Sequence, residues 1–460
     1  MINYNLLKLL YLDIGKQSIG GNMSFSTVPE IFQKTTSDFS NKDLYVTKKN
    51  NQWVGISGSE IKSTVVDLTY GLKSFGISSN DKVAILSTNS PRWCMSDYAI
   101  VCSGAATVTI YPTLISSQIE YIMNDSGTKI IFVENAEQLD KIKEIWGNCS
   151  SLEKVVVLDD SLIKDDSKEI NFSSLLDMGT EFAKSSNETF ENLISSVGEN
   201  DLLTLIYTSG TTGTPKGVML THKNIIANLE GVFSDLEVDD NDTWLSFLPL
   251  SHVLERMAGH FSPFSVGAKV YFAENMEKIP GNLLETKPTV VVSVPRLYEK
   301  MYSRIKEGLK TAPTIKRKLF GWATSVGTRC LPYTLRNKTL PFSLKFQRSI
   351  ADKLIYSKVR ERVGGNLRFF VSGGAALSQE IAEFFGSVGI TILEGYGLTE
   401  TSPVLTSNIP GFIKFGTVGR PLNNVEIKIA DDGEILAKGP NIMKGYFNKP
   451  EDTKESIDQD

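Results

Sequence analysis

The densest chemistry in the chain lies in YTSGTTGTPKGV, Tyr207 to Val218. Gly210, Gly213 and Gly217 let the backbone bend and bring N–H groups toward an oxyanion, Thr208, Ser209, Thr211, Thr212 and Thr214 add hydroxyl donors, and Lys216 adds a positive charge. That set suits a polyphosphate. It is not a Walker A loop, because Pro215 stands where glycine is needed and Gly217 where Ser or Thr is needed. A second run, EGYGLTE from Glu394 to Glu400, pairs two glycines that admit a ligand to the backbone with an aromatic face at Tyr396 for a base. Thr399 and Glu400 supply oxygen ligands there, and the Glu400 carboxylate suits Mg²⁺, a hard cation that takes carboxylates and phosphates. His252 is one of three histidines, with His222 and His260, and HVLE lacks the HExxH spacing of a zinc enzyme.

These runs need elements to position them. KVAILST (Lys82 to Thr88), ATVTIYP (Ala106 to Pro112) and KIIFVE (Lys129 to Glu134) are buried-strand patterns, each followed by a helical one. The pattern resumes after residue 200 with DLLTLIY, TWLSFLPL, KVYFAE, TVVVSVP, NLRFFVS and ITILEGYG. Alternating strand and helix predicts an α/β fold with two doubly wound, mixed or parallel sheets covered by helices. The phosphate-type loop is expected between the strand DLLTLI and a helix beginning near Thr221. VEIKIADDGEILAKGPNIM, with its Asp431-Asp432-Gly433 turn, predicts a small β-barrel-like subdomain over about 410–445. Residues 158–200, rich in Ser, Asp, Asn and Lys, read as a surface loop with a solvated helix or two.

A chain of 460 residues, 41% hydrophobic and 22% charged, buries more than one core and implies two or more subdomains. A net charge of -5 argues against general nucleic-acid binding. The four cysteines, Cys94, Cys102, Cys149 and Cys330, lack metal or disulfide spacing and fit a reducing, cytoplasmic setting. LLKLLYL, from Leu6 to Leu12, is too short to span a bilayer and lacks a cleavage site, so residues 1–22 read as an N-terminal extension before Met23.

YTSGTTGTPKGV resembles the phosphate loop of the adenylate-forming, AMP-binding superfamily of acyl-CoA synthetases, luciferases and adenylation domains. PLSHVLER (Pro249 to Arg256), SGGAALS (Ser372 to Ser378), EGYGLTETSP (Glu394 to Pro403) and VGRPL (Val418 to Leu422) follow in that family's order. The resemblance spans essentially everything after Met23 and implies the large N-terminal domain of that fold, with ATP, Mg²⁺ and coenzyme A as cofactor and co-substrates. It implies that Tyr396 stacks on adenine beside Glu394, Gly395 and Gly397, that Gly374 and Ala375 line the adenine pocket, and that Thr399 meets the α-phosphate. It further implies that Glu400 holds the metal and that His252 borders the acyl carboxylate, with Lys216, His252, Thr399 and Glu400 as the catalytic set. No nucleophilic triad is needed, since a substrate carboxylate is already ionised at neutral pH.

The Glu255-Arg256 pair and SVPRLYEKMY resemble the long-chain fatty acyl-CoA synthetases, and the same two charged residues are also readable as a structural ion pair. An aryl or short-chain acid ligase, and a non-catalytic nucleotide-binding protein, are the alternative readings. An amino-acid-activating domain is disfavoured because LSFLPLSH offers no carboxylate for an α-amine. Similar proteins continue beyond the position of Asp460 with a TGD motif, a hinge and a small lid domain carrying a lysine, so the resemblance implies a shortened chain with little full activity. Residues 297–362 carry sixteen Lys plus Arg against four Asp plus Glu. This helical, insertion-like segment sets Leu319, Phe320 and Trp322 beside Lys316, Arg317 and Lys318, a combination suited to peripheral contact with an anionic membrane.

Overall fold

Every apolar run read as a buried strand is one, and the strands assemble into two large sheets. The structure, a computed structural model, describes residues 25–162, 167–208 and 213–458. The expected N-terminal extension lies outside these residues. The eight-stranded sheet runs, in spatial order, Gly445–Tyr446, Lys216–Thr221, Leu202–Thr208, Ala106–Ile110, Lys82–Leu86, Ile130–Val133, Lys154–Val157 and Glu169–Asn171. The nine-stranded sheet runs Arg420–Pro421, Val404–Ser407, Ile392–Gly397, Phe369–Ser372, Val290–Ser293, Thr243–Ser246, Lys269–Phe272, Asp43–Lys49 and Gln52–Ser57. Both are parallel in the middle and antiparallel at an edge. Central strands such as Ala106–Ile110 and Val290–Ser293 are buried along their whole length, as parallel strands covered on both faces must be.

The largest core lies between the sheets. It joins Val83, Ile85 and Phe132 of one sheet to Tyr45, Trp244, Val290, Val292 and Phe369 of the other. A second core covers the outer face of the eight-stranded sheet, and a third, with Leu245, Val291 and Phe370, the outer face of the nine-stranded one. The four cysteines are free and buried.

Two expectations are corrected. Residues 158–200 are more than a surface loop: they supply the edge strand Glu169–Asn171 and the helix Phe172–Ser185, which packs closely on helix Gly58–Ser74. Gly179 makes that crossing possible, since a Cβ there would lie 1.8 Å from the Asp67 carbonyl oxygen. The barrel-like subdomain resolves into the hairpin Glu426–Ile429 and Ile435–Lys438, with Gly433 at φ +94° in its turn. Its flanking strands Arg420–Pro421 and Gly445–Tyr446 join one large sheet each, and no closed barrel exists among the described residues. The helix expected near Thr221 is present as His222–Phe233, capped by Thr221; the glycine-rich run before it also bridges antiparallel strands, with Thr208 paired to Lys216 in the strand Lys216–Thr221.

Candidate active site

The C-terminal ends of the parallel strands converge on one cavity of about 590 Å³. This is where an open α/β sheet binds ligands. Its polar mouth is formed by Thr208, Lys216, His252, Gly374, Gly395, Tyr396, Gly397, Thr399 and Glu400, all singled out in the sequence. Its depth is apolar: Leu393, Val371, Val292, Phe369 and Val290 from adjacent strands, with Trp244, Met257 and Val232 around them.

The register explains the shape. Leu393, Val371 and Val292 are lateral neighbours, and Phe369, Val290 and Trp244 form the next row down the inner face. With ~3.3 Å per residue and ~4.8 Å per strand, the distance from Gly395 to Trp244 is on the order of 20 Å. At ~1.2 Å per bond of extended chain, that accommodates roughly 16 bonds.

At the mouth, backbone conformation is fixed by glycine and by hydroxyl caps. A Cβ on Gly397 would lie 1.7 Å from the Pro403 carbonyl oxygen, and Gly374 sits at φ +79° after strand Phe369–Ser372. The turn Thr399–Thr401 that presents Glu400 is held by the Leu398 N–H donating to Thr401 Oγ1 (2.9 Å) and by Asn441 Nδ2 donating to the Thr401 carbonyl (2.8 Å). Tyr446 donates its hydroxyl to Glu400 Oε1 at 2.8 Å, and burial together with this bond pushes the Tyr446 hydroxyl up to about 12. Lys216 stands 5.1 Å from the centre of the Tyr446 ring and is ion-paired with Asp452 of helix Pro450–Ser456. Tyr207, at the base of the loop, donates to Asp125 (2.6 Å), and Tyr121 donates to the Pro215 carbonyl (3.0 Å).

His252 caps the helical turn Val253–Glu255, its Nδ1 accepting the Leu254 N–H at 3.1 Å. The ring is open to the cavity yet mostly surrounded by protein, and that desolvation lowers its pKa. A neutral ring accepting at Nδ1 carries its proton on Nε2. Asn89 holds the loop before it, donating to Ser246 Oγ (2.9 Å) and the Leu248 carbonyl (2.6 Å) and accepting the Leu250 N–H (2.9 Å).

Ser209, Gly210, Thr211 and Thr212 lie outside the described residues. Gly213 and Thr214 are exposed at the end of the loop, and Ala375 is exposed one residue beyond the cavity wall. Glu394 is not in the wall either, because strand alternation turns it away from Leu393 and Gly395. Burial raises its pKa, and it accepts the backbone N–H of Leu377, bracing the glycine turn from behind. Glu255 and Arg256 do not pair with each other. Arg256 donates to Asp97 through Nη2 (2.5 Å) and Nε (3.0 Å), wholly inside the protein. Glu255 accepts from Ser246 Oγ at 2.6 Å and is pushed up to about 8 by burial, so it is protonated at neutral pH. It lies over Gly259 in the π-helical segment Arg256–Phe261, where a Cβ would meet its Oε1 at 2.3 Å.

Sequence reasoning missed Tyr446, Asp452 and Trp244. The first two follow the last recognisable motif, and the third is an ordinary strand aromatic in its own sequence context. The Glu400 carboxylate and Thr399 fit a Mg²⁺ ion that takes its remaining ligands from phosphates and water. Among the described residues no cluster of three or more His, Cys, Asp or Glu is arranged to bind a metal by itself.

A fold of two sandwiched α/β sheets with this cavity at their strand ends defines a class. The AMP-binding enzyme family matches residues 32–447, and the chain belongs to that family. It is 33% identical over 420 residues to the long-chain-fatty-acid–CoA ligase FadD15 of Mycobacterium bovis, covering 90% of this chain and 67% of the relative. To the long-chain-fatty-acid–CoA ligase ACSBG2 of Xenopus laevis it is 30% identical, covering 94% of this chain and 60% of the relative. The fold is that of the N-terminal domain of FACL13 from Mycobacterium tuberculosis, at TM-score 0.68, 19% identity and 94% coverage of both chains. A long-chain-fatty-acid-CoA ligase from Archaeoglobus fulgidus superposes with TM-score 0.68 at 22% identity, over 93% of this chain and 78% of that one.

Proposed function

We propose that the chain activates a long-chain fatty acid with ATP to acyl-AMP and pyrophosphate, and that coenzyme A then takes the acyl group as a thioester with release of AMP. The observation that carries this reading is the continuous cavity, polar at the phosphate-loop end and apolar for the rest of its depth. An aryl or short-chain acid would leave most of that apolar wall unfilled.

In this reading the fatty acid lies tail-down against Leu393, Val371 and Val290, which leaves its carboxylate at the mouth beside His252. One carboxylate oxygen attacks the α-phosphorus, forming the acyl–phosphate bond as the bond to pyrophosphate breaks. The attacking group is already an anion, so acceleration comes from alignment and from neutralising charge on the triphosphate. The Nε2–H of His252 donates to the carboxylate or the α-phosphate, Thr399 donates to the α-phosphate, and Lys216 faces the leaving phosphates. Mg²⁺ held by Glu400 would add a counter-charge to the phosphate oxygens. Tyr396 presents its ring to adenine, with Gly374 and Gly395 allowing close approach. In the second half-reaction the thiolate of coenzyme A attacks the acyl carbon and AMP departs with the bonding electrons.

Single-turnover incubation with ATP and palmitate, butyrate or benzoate, followed by mass spectrometry of the acyl adenylate, tests the proposal. Palmitoyl-AMP should dominate. Preferential formation of butyryl- or benzoyl-AMP would overturn the long-chain assignment, and no adenylate from any acid would overturn the adenylation step for this chain.

A further inference from the structure

Helix Phe342–Ala351 and its π-helical continuation Asp352–Tyr356 are apolar on two opposite faces. One face is accounted for: Leu344, Ala351 and Tyr356 are buried against helix Thr314–Thr334, with Tyr356 donating to the Ala323 carbonyl at 2.5 Å. The other carries Phe342, Phe346, Ile350 and Leu354, one every four residues, all exposed, with Phe342 at 88% and Phe346 at 63%. Such spacing draws a stripe about 18 Å long that winds slowly along one side of a helix. A helix apolar all round has two partners in a folded environment, and among the described residues this one has only the first.

The surroundings of the stripe are cationic. Lys345, Lys353 and Lys358 are exposed on the same helical run, against two acids, Asp352, which is paired with Arg360 at 2.7 Å, and Glu361 at its end. Arg329 reaches across to Gln347 (2.6 Å) and ties in the neighbouring helix, whose exposed residues include Ile315, Lys316, Arg317, Lys318 and Trp322. The protein as a whole is anionic, so these cations are concentrated and not part of a general basic surface.

We propose that this face docks on an anionic lipid bilayer, with the Phe342, Phe346, Ile350 and Leu354 stripe in the headgroup region and the lysines against lipid phosphates. The docking residues differ from those the sequence singled out. Leu319 and Phe320 are half-buried, with Phe320 stacked on Phe384 at 6.2 Å, and only Trp322 of the three remains exposed. Helix Thr314–Thr334, on which Phe342–Ala351 packs, rests on helix Gln379–Ser387, outside the nine-stranded sheet, whereas the cavity lies on its inner face. The surface therefore anchors the protein and is not the route by which a ligand enters the cavity. The proposal is independent of the catalytic reading and is tested without substrate.

Flotation with vesicles of phosphatidylcholine alone or mixed with phosphatidylglycerol is the experiment. Binding should require the anionic lipid and fall as salt rises. The exposed double variant Phe342→Ser, Phe346→Ser should weaken partitioning by tenfold or more, whereas Phe342→Leu, Phe346→Leu should stay within a few-fold of the parent. Lys345→Gln with Lys353→Gln should weaken it roughly twenty-fivefold, about fivefold per cation. Thermal melts of the same proteins keep misfolding apart from lost binding. No binding to anionic vesicles, or binding that the Phe→Ser variant leaves unchanged, overturns the proposal. So does an oligomer in solution that the Phe→Ser variant dissociates while vesicles go unbound, because the stripe would then be a contact between two copies of the chain.

Discussion

Asp452 is ion-paired with Lys216, the residue proposed above to face the phosphates of ATP. The pair is partly buried, with side-chain exposures of 17% for Lys216 and 32% for Asp452, and the lysine also rests over the Tyr446 ring. Replacing Asp452 with Asn removes the competing charge and keeps the shape, leaving Lys216 held by the ring alone. A pair this accessible to solvent is worth about 1 kcal/mol, so ATP should bind roughly fivefold more tightly to Asp452→Asn. Adenosine, which has no phosphate to compete for the lysine, should bind both proteins equally. Lys216→Met should lose ATP affinity on the order of 2 kcal/mol, the worth of a charge-assisted hydrogen bond, and should abolish the difference that Asp452→Asn makes. Calorimetric titration of ATP and adenosine into the four proteins measures all of this. Unchanged or weaker ATP binding by Asp452→Asn, or an equal gain for adenosine, would refute the reasoning.

Three further outcomes follow from the same geometry. Gly397→Ala forces a Cβ toward the Pro403 carbonyl and should cost at least tenfold in ATP affinity by calorimetry, whereas Gly308→Ala, where nothing lies within 4 Å, should leave binding unchanged. Arg256→Met strands the buried Asp97 carboxylate and should cost about 3–5 kcal/mol in urea denaturation. Burial alone would raise the Asp97 pKa, but Arg256 and His260 outweigh that and hold it at about 2; its stabilising effect is full above its unfolded pKa and is lost as pH falls from about 4 toward 2. Glu255 has the opposite sign: with its folded pKa pushed up to about 8 from an ordinary 4.5, the folded state retains a proton the unfolded state loses, so stability declines as pH rises through that window. Glu255→Gln should flatten the decline and gain on the order of 4 kcal/mol at pH 8, and an unchanged slope in urea titrations at several pH values would contradict that assignment.

The interior strands were legible because parallel strands buried on both faces become unbroken apolar runs, as in TVVVSVP and NLRFFVS. The mouth was legible for a related reason: glycines, hydroxyls and a lone lysine between strands have little structural purpose apart from a ligand. What the sequence concealed depends on distant partners. Asp97 lies 159 residues before Arg256, so nothing local distinguished a buried Arg–Asp pair from an Arg–Glu one. KGVMLT is buried at both inner and outer positions as a strand next to the edge, which hid the strand itself, although the helix after it begins at His222 as expected. Residues 158–200 are polar on average, yet Gly179 and Leu175 place their helix in the core. Glu394 reads as part of a ligand motif, and only the strand pleat reveals that it faces the other way.

The central claim is that one cavity holds a nucleotide at its mouth and a long alkyl chain in its depth. Affinities of non-hydrolysable acyl-adenylate analogues, from acetyl to stearoyl, measured on the parent protein and on Val292→Trp, test it most directly. Val292 lies in the row between Gly395 and Trp244, so tryptophan there should block the passage without touching the mouth. The account predicts a two- to fourfold gain per methylene in the parent, from at most ~0.8 kcal/mol per CH₂, with a plateau near the length that reaches Trp244. In Val292→Trp the plateau should come several methylenes earlier, with acetyl-analogue affinity unchanged. Affinity independent of chain length in the parent, or an identical ladder in the variant, would contradict it.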